Sequence, residues 1–136
     1  MFLVDANVLL DIFTDDPTWR PWSEQAVGDA LAAGAVGINP IIYAEVSLRF
    51  TDADPLDRRL RAHMVDRLPL PYDAAFRAGR AFGRYRRAGG LRRSPLPDFY
   101  VGAHAVTEDL TLITRDVGRY RTYFPTVKLV APDGHD

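Results

Sequence analysis

The sequence predicts an α/β domain: a central parallel sheet of about four or five strands, with helices on both faces. Short apolar runs at Phe2–Val4, Ala35–Ile38, Leu110–Thr114 and Val127–Val130 have the length of buried strands. The segments between them carry apolar residues at three- and four-residue steps, the period of helices packed along one side. Strands that alternate with helices pair in parallel, because each crossover helix returns the chain to the same edge of the sheet. A chain of 136 residues is the size of one domain. We read residues 1–131 as that domain and 132–136 as a flexible C-terminal tail.

Taken in order, Phe2–Val4 is the first strand and Ala6–Phe13 a helix with its apolar face at 8, 9, 12 and 13. Asp15-Asp16-Pro17 breaks it, and a second helix begins near Pro21 or Ser23, with Ser23 as cap, and ends at Gly34. After the strand Ala35–Ile38, Pro40 opens a helix through Phe50. Asp54-Pro55 starts the next, to about Asp66, and Leu68–Pro71 is short enough to be a strand. Ala74–Ala88 is helical and stops at Gly89-Gly90. A two-proline loop, Leu91–Pro97, leads to a helix over Asp98–Glu108, the strand Leu110–Thr114, a short helix around Val117–Tyr123 and the strand Val127–Val130. No internal repeat or low-complexity linker interrupts this order.

Composition narrows the chemistry. There is no Cys, which removes disulfides and thiolate metal sites, and the three His at 63, 104 and 135 are too scattered to suggest zinc. Any metal is then a hard cation held by oxygen. No apolar run approaches the ~20 residues of a membrane span, and no leader pattern opens the chain, so the protein reads as cytoplasmic. The net charge of −1 points to no nucleic-acid partner by itself. It hides an asymmetry, however: Arg77, Arg80, Arg84, Arg86, Arg87, Arg92 and Arg93 fall in one segment, and no acid lies between Asp73 and Asp98.

The question the sequence poses is Asp5, set between a buried strand and an apolar helix, where a lone carboxylate is costly. In open α/β sheets, ligands sit beyond the carboxyl ends of the strands. Asp5 and Asp116 both follow strands there, Asp98 opens a helix after Pro97, and Glu45 lies on the helix after Ile38. Each has a structural reading: Asp98 as a helix N-terminal acid, Asp116 as a cap, Glu45 as the partner of Arg49. Asp11 and Asp29 read as solvated helix-face residues. If the four acids converge they repel, by about 4 kcal/mol for a pair ~4 Å apart at an effective dielectric of 20. Such a cluster survives by raised pKa values or by holding a divalent cation, and it suits Mg²⁺ or Mn²⁺ and phosphodiester hydrolysis. On this view, changing Asp5 or Asp116 to Asn relieves strain in the metal-free protein.

In the stretches FLVDANVLLDI, IIYAEVSLRF, PDFYVGAHAVTEDLTLITRD and RYRTYFPTVKLVAP, the chain resembles the PIN-domain nucleases, and most closely the VapC-type toxins of bacterial toxin–antitoxin pairs. The likeness runs over nearly the whole chain in the family's order. It implies metal-binding, catalytic acids at Asp5, Glu45, Asp98 and Asp116, with Asn7 and Thr114 supporting them by hydrogen bonds. It also implies an Mg²⁺- or Mn²⁺-dependent endoribonuclease that dimerises and is inhibited by a cognate antitoxin.

Beside that reading, the Arg-rich segment is either a solvated helix face or a phosphate-binding one. Arg92 and Arg93, in the loop before Asp98, are the candidates for RNA contact. Trp19 and Trp22 read as core packing or as a partner-facing patch, and Tyr100 and Tyr120 as packing residues. Two other classes remain open on sequence alone: a receiver-type signalling module, and a catalytically idle RNA-binding α/β module. The first wants paired acids after its first strand, where only Asp5 stands.

Overall fold

A computed structural model describes residues 1–89 and 96–132. Five short strands, β1 (Phe2–Val4), β2 (Val36–Ile38), β3 (Val65–Arg67), β4 (Thr111–Ile113) and β5 (Lys128–Val130), form one sheet. Its order is β3-β2-β1-β4-β5, and every pair is parallel. The crossovers carry α1 (Ala6–Phe13), α2 (Arg20–Ala33), α3 (Pro40–Ser47), α4 (Ala53–Ala62), α5 (Tyr72–Arg87), α6 (Leu96–Thr107) and α7 (Val117–Arg121). No described helix is long and apolar enough to cross a membrane.

This order places a topological switch between β1 and β4. From β1 the chain builds outward through β2 and β3, then returns to lay β4 and β5 on the other side. β1 is therefore central and covered on both faces, which is why it reads as an unbroken apolar run. Leu3, Val4, Leu112 and Ile113 are fully buried. Crevices open at such a switch, beyond the strand carboxyl ends.

α6 is the central helix, buried over most of its circumference. Phe99 anchors an aromatic cluster with Phe82 and Tyr85 of α5, Tyr123 and Phe124, with ring centroids 5.4 to 6.1 Å apart. Gly102 permits this packing: a Cβ there would lie 2.5 Å from the Phe124 ring.

Three local expectations are corrected. The third strand is Val65–Arg67, not Leu68–Pro71, because α4 stops at Ala62 and Met64 turns the chain with φ 57°. Only Val65 of that edge strand is buried, so its polar neighbours hid it from an apolarity reading. Ser23 lies inside α2 rather than capping it, and donates to Asp11 Oδ2 at 2.7 Å. Asp11 in turn is buried rather than solvated. Its partner is Arg115, bonded through Nε at 2.7 Å and Nη2 at 3.0 Å. The Arg115 guanidinium also lies 4.9 Å from the Trp19 ring centre, so Trp19 serves this clamp while Trp22 packs against the core.

Candidate active site

Asp5 follows β1 directly and accepts a hydrogen bond from the backbone N–H of Ala6 at 2.8 Å through Oδ1, at the start of α1. Its Oδ2 accepts from Tyr120 Oη at 2.8 Å, Thr114 Oγ1 at 2.9 Å and Asn7 Nδ2 at 3.3 Å. β1 and β4 are in register at Val4 and Ile113, which sets Asp5 across from Thr114. Thr114 Oγ1 also accepts from the Asp116 backbone N–H at 3.0 Å, and Asn7 Oδ1 from that of Arg115 at 3.2 Å. A closed polar ring thus ties the ends of two adjacent strands together. Burial pushes the Asp5 carboxyl up from its ordinary range, against the bonds from Tyr120, Thr114 and Ala6.

Asp98 enters from the first turn of α6. Its side chain is 7% exposed, and Oδ1 meets Arg119 Nη1 at 3.3 Å. Oδ2 is buried with no hydrogen-bond partner among the described residues. Burial lifts this carboxyl to about 6; Arg119 opposes the rise, and the charges of Asp5 and Asp116 add to it. Glu45, on α3, is pushed up to about 7 by burial and then by the charges of Asp5 and Asp98, again against Arg119. Asp116 precedes α7 without making a side-chain cap bond, is 40% exposed, and accepts from Arg119 Nε at 3.0 Å. Asn39 links the two helices that bring Glu45 and Asp98. It caps α3 through the Ile42 N–H at 2.9 Å and donates to His104 Nδ1 of α6 at 3.1 Å.

Among the described residues no three His, Asp or Glu side chains form a ready metal shell. The Arg119 guanidinium instead lies between Asp98 and Asp116. The donor set still fits a hard divalent cation: all carboxylate oxygen, one buried acceptor left over, and Asp98 and Glu45 lifted to about 6 and about 7 by burial first and by neighbouring carboxylates second. Beside these acids is a cleft of about 300 Å³ lined by Asp5, Asn7, Glu45, Arg49 and Arg119 among others. A larger groove of about 770 Å³ runs along α5, past Phe76, Arg77, Arg80 and Arg84. It has no converging carboxylates, so the smaller cleft is the candidate active site.

The model of the PIN domain family matches residues 2–125. The chain belongs to the PIN-domain family. Solved structures share the fold. VapBC2 from Rickettsia felis bound to a promoter DNA fragment is similar at 17% identity and a TM-score of 0.74, over 97% of this chain and 98% of that one. A toxin–antitoxin complex from Klebsiella pneumoniae is 25% identical with a TM-score of 0.65, over 96% of each chain. FitAcB from Neisseria gonorrhoeae is 22% identical with a TM-score of 0.63, over 95% and 96%. No curated protein sequence matches closely enough to count as a relative. PIN domains are in general nucleases that use divalent metals.

In this PIN domain, Asp5, Asn7 and Thr114 share one hydrogen-bonded ring, and Glu45, Asp98 and Asp116 surround it through charge. Arg92 and Arg93 lie outside the described residues. Arg77, Arg80, Arg84 and Arg87 form an exposed face of α5, which both sequence readings of this segment require. Two residues of the site escaped the sequence reading. Tyr120, read as packing, donates its hydroxyl to Asp5, and Arg119, not singled out, bridges Asp98 and Asp116. Their signal was present in TRDVGRY: positions three and four after Asp116 return to its side of a helix.

Proposed function

We propose that this PIN domain is an Mg²⁺- or Mn²⁺-dependent endoribonuclease, and the toxin of a toxin–antitoxin pair. The observation that carries the reading is the orphaned, buried Oδ2 of Asp98, on a carboxyl lifted by burial and then by the charges of Asp5 and Asp116. The four acids carry more negative charge than the single Arg119 guanidinium between Asp98 and Asp116 balances, and Asp5, Glu45, Asp98 and Asp116 are the residues that would hold a cation. A divalent cation bound there supplies activation of a water nucleophile and stabilisation of the leaving oxygen of a phosphodiester. Thr114, Asn7 and Tyr120 fix the Asp5 carboxylate by donating to its Oδ2. Glu45, with a pKa of about 7, holds a proton on its carboxyl through much of the range just below neutrality.

Likeness to toxin–antitoxin complexes supports a cognate antitoxin as partner, and the homodimer as working form rests on the family resemblance alone. Arg92 and Arg93, a few residues ahead of Asp98, are our candidates for RNA phosphate contact on sequence position alone. The decisive assay is cleavage of a structured RNA by purified protein. It should need Mg²⁺ or Mn²⁺, stop with EDTA, and leave 5′-phosphate and 3′-hydroxyl ends. Ends carrying 2′,3′-cyclic phosphate, or cleavage that survives EDTA, would refute the reading. RNA binding without metal-dependent turnover would select the idle RNA-binding module instead.

A further inference from the structure

The segment Thr114–Arg121 carries two Arg–Asp pairings of opposite character. Arg115 grips Asp11 with two bonds, and the Asp11 side chain is only 4% exposed. That is a permanent structural clamp. Arg119 makes one bond of 3.3 Å to Asp98 and one of 3.0 Å to Asp116. It keeps 35% of its side chain exposed, and it leaves Asp98 Oδ2 unsatisfied. Its own element is short and one face is open, so the guanidinium can leave without disturbing the core.

We infer that Arg119 is an internal counter-cation of the acid cluster. It occupies the space between Asp98 and Asp116 in the metal-free protein, competes with a divalent cation for their carboxylates, and so sets the cation concentration at which the site loads. The inference rests on the proposed reading of these acids as cation ligands. Arg119 is a positioning residue here: it keeps the repelling carboxylates together until a cation arrives. Coulomb attraction at a part-exposed site is modest, which makes the exchange reversible. The Asp11–Arg115 pair, held by two bonds to a carboxylate that is 4% exposed, could not serve.

The test is Mn²⁺ binding by calorimetry at fixed pH and ionic strength, with no substrate present, on wild type, Arg119→Gln, Arg119→Lys and Arg49→Gln. Arg49 lines the same cleft and controls for general loss of positive charge. Arg119→Gln should bind Mn²⁺ about tenfold more tightly, the equivalent of ~1.4 kcal/mol. Arg119→Lys should fall between it and wild type, and Arg49→Gln should shift much less. In EDTA, Arg119→Gln should melt below wild type, and its melting temperature should rise more when Mn²⁺ is added. Unchanged or weaker Mn²⁺ binding by Arg119→Gln, or an equal gain in Arg49→Gln, overturns the role of Arg119 and leaves the nuclease reading intact. If wild type binds no Mn²⁺, both fall together.

Discussion

Asp98→Asn should stabilise the metal-free protein at pH 7.5 and do nothing comparable at pH 4. The folded protein raises this carboxyl from 3.8 to about 6, so it holds the proton more tightly than the unfolded chain does. The stability linked to that proton is fully present below 3.8 and is lost as the pH climbs through 6. At ~1.4 kcal/mol per pH unit, the ionised Asp98 costs the folded state about 3 kcal/mol above that range. Asn removes the charge but also the ion pair with Arg119, which is part-exposed and worth at most about 1 kcal/mol. The net gain is about 2–3 kcal/mol, or roughly 6–12 °C in melting temperature for a domain of this size. Thermal melts in EDTA at the two pH values measure it directly, and added Mn²⁺ should then favour wild type over the variant. The reasoning is refuted if Asp98→Asn costs about 0.5–2 kcal/mol at pH 7.5, the loss expected when a helix-end acid is removed. The gain does not extend to every acid of the cluster. Asp5 Oδ2 accepts from three side chains, so an amide placed there disrupts bonds that the carboxylate satisfies, and Asp116 is too exposed to store much repulsion. The strain relief that convergence alone suggests for Asp5 and Asp116 is therefore expected at Asp98 and Glu45.

Arg115→Ala leaves the Asp11 carboxylate buried with Ser23 as its remaining side-chain donor, and should cost about 3–5 kcal/mol in urea unfolding. Adding Asp11→Asn should recover a good part of that; if it recovers nothing, the clamp acts through shape and not charge. Tyr120→Phe removes one donor from Asp5 and should cost about 1–3 kcal/mol. It should also raise the Asp5 carboxyl further, seen by NMR titration; an unmoved Asp5 would show that the Tyr120 hydroxyl is only packing there.

Much of this protein was determined by its sequence alone. The short apolar runs and the helical spacing between them fix a parallel α/β sheet, because those periods have no other economical burial. Asp5 directly after β1 and Asp116 three residues past β4 also mark the candidate site, once β1 and β4 are known to be neighbours. Edge strand β3 was lost because two of its three residues face solvent, and periodicity is silent where burial is slight. What only the tertiary structure decided is the pairing of charges. In sequence, Asp11 is one more acid on a helix face and Arg119 one more Arg in an Arg-rich chain. In the folded protein one is locked 4% exposed against Arg115 and the other bridges Asp98 and Asp116. Hydrophobic patterning is a local, one-dimensional signal, whereas the strength of an ion pair depends on distance and on the water excluded around it. Both are set by residues up to 104 positions apart that meet only in the folded chain.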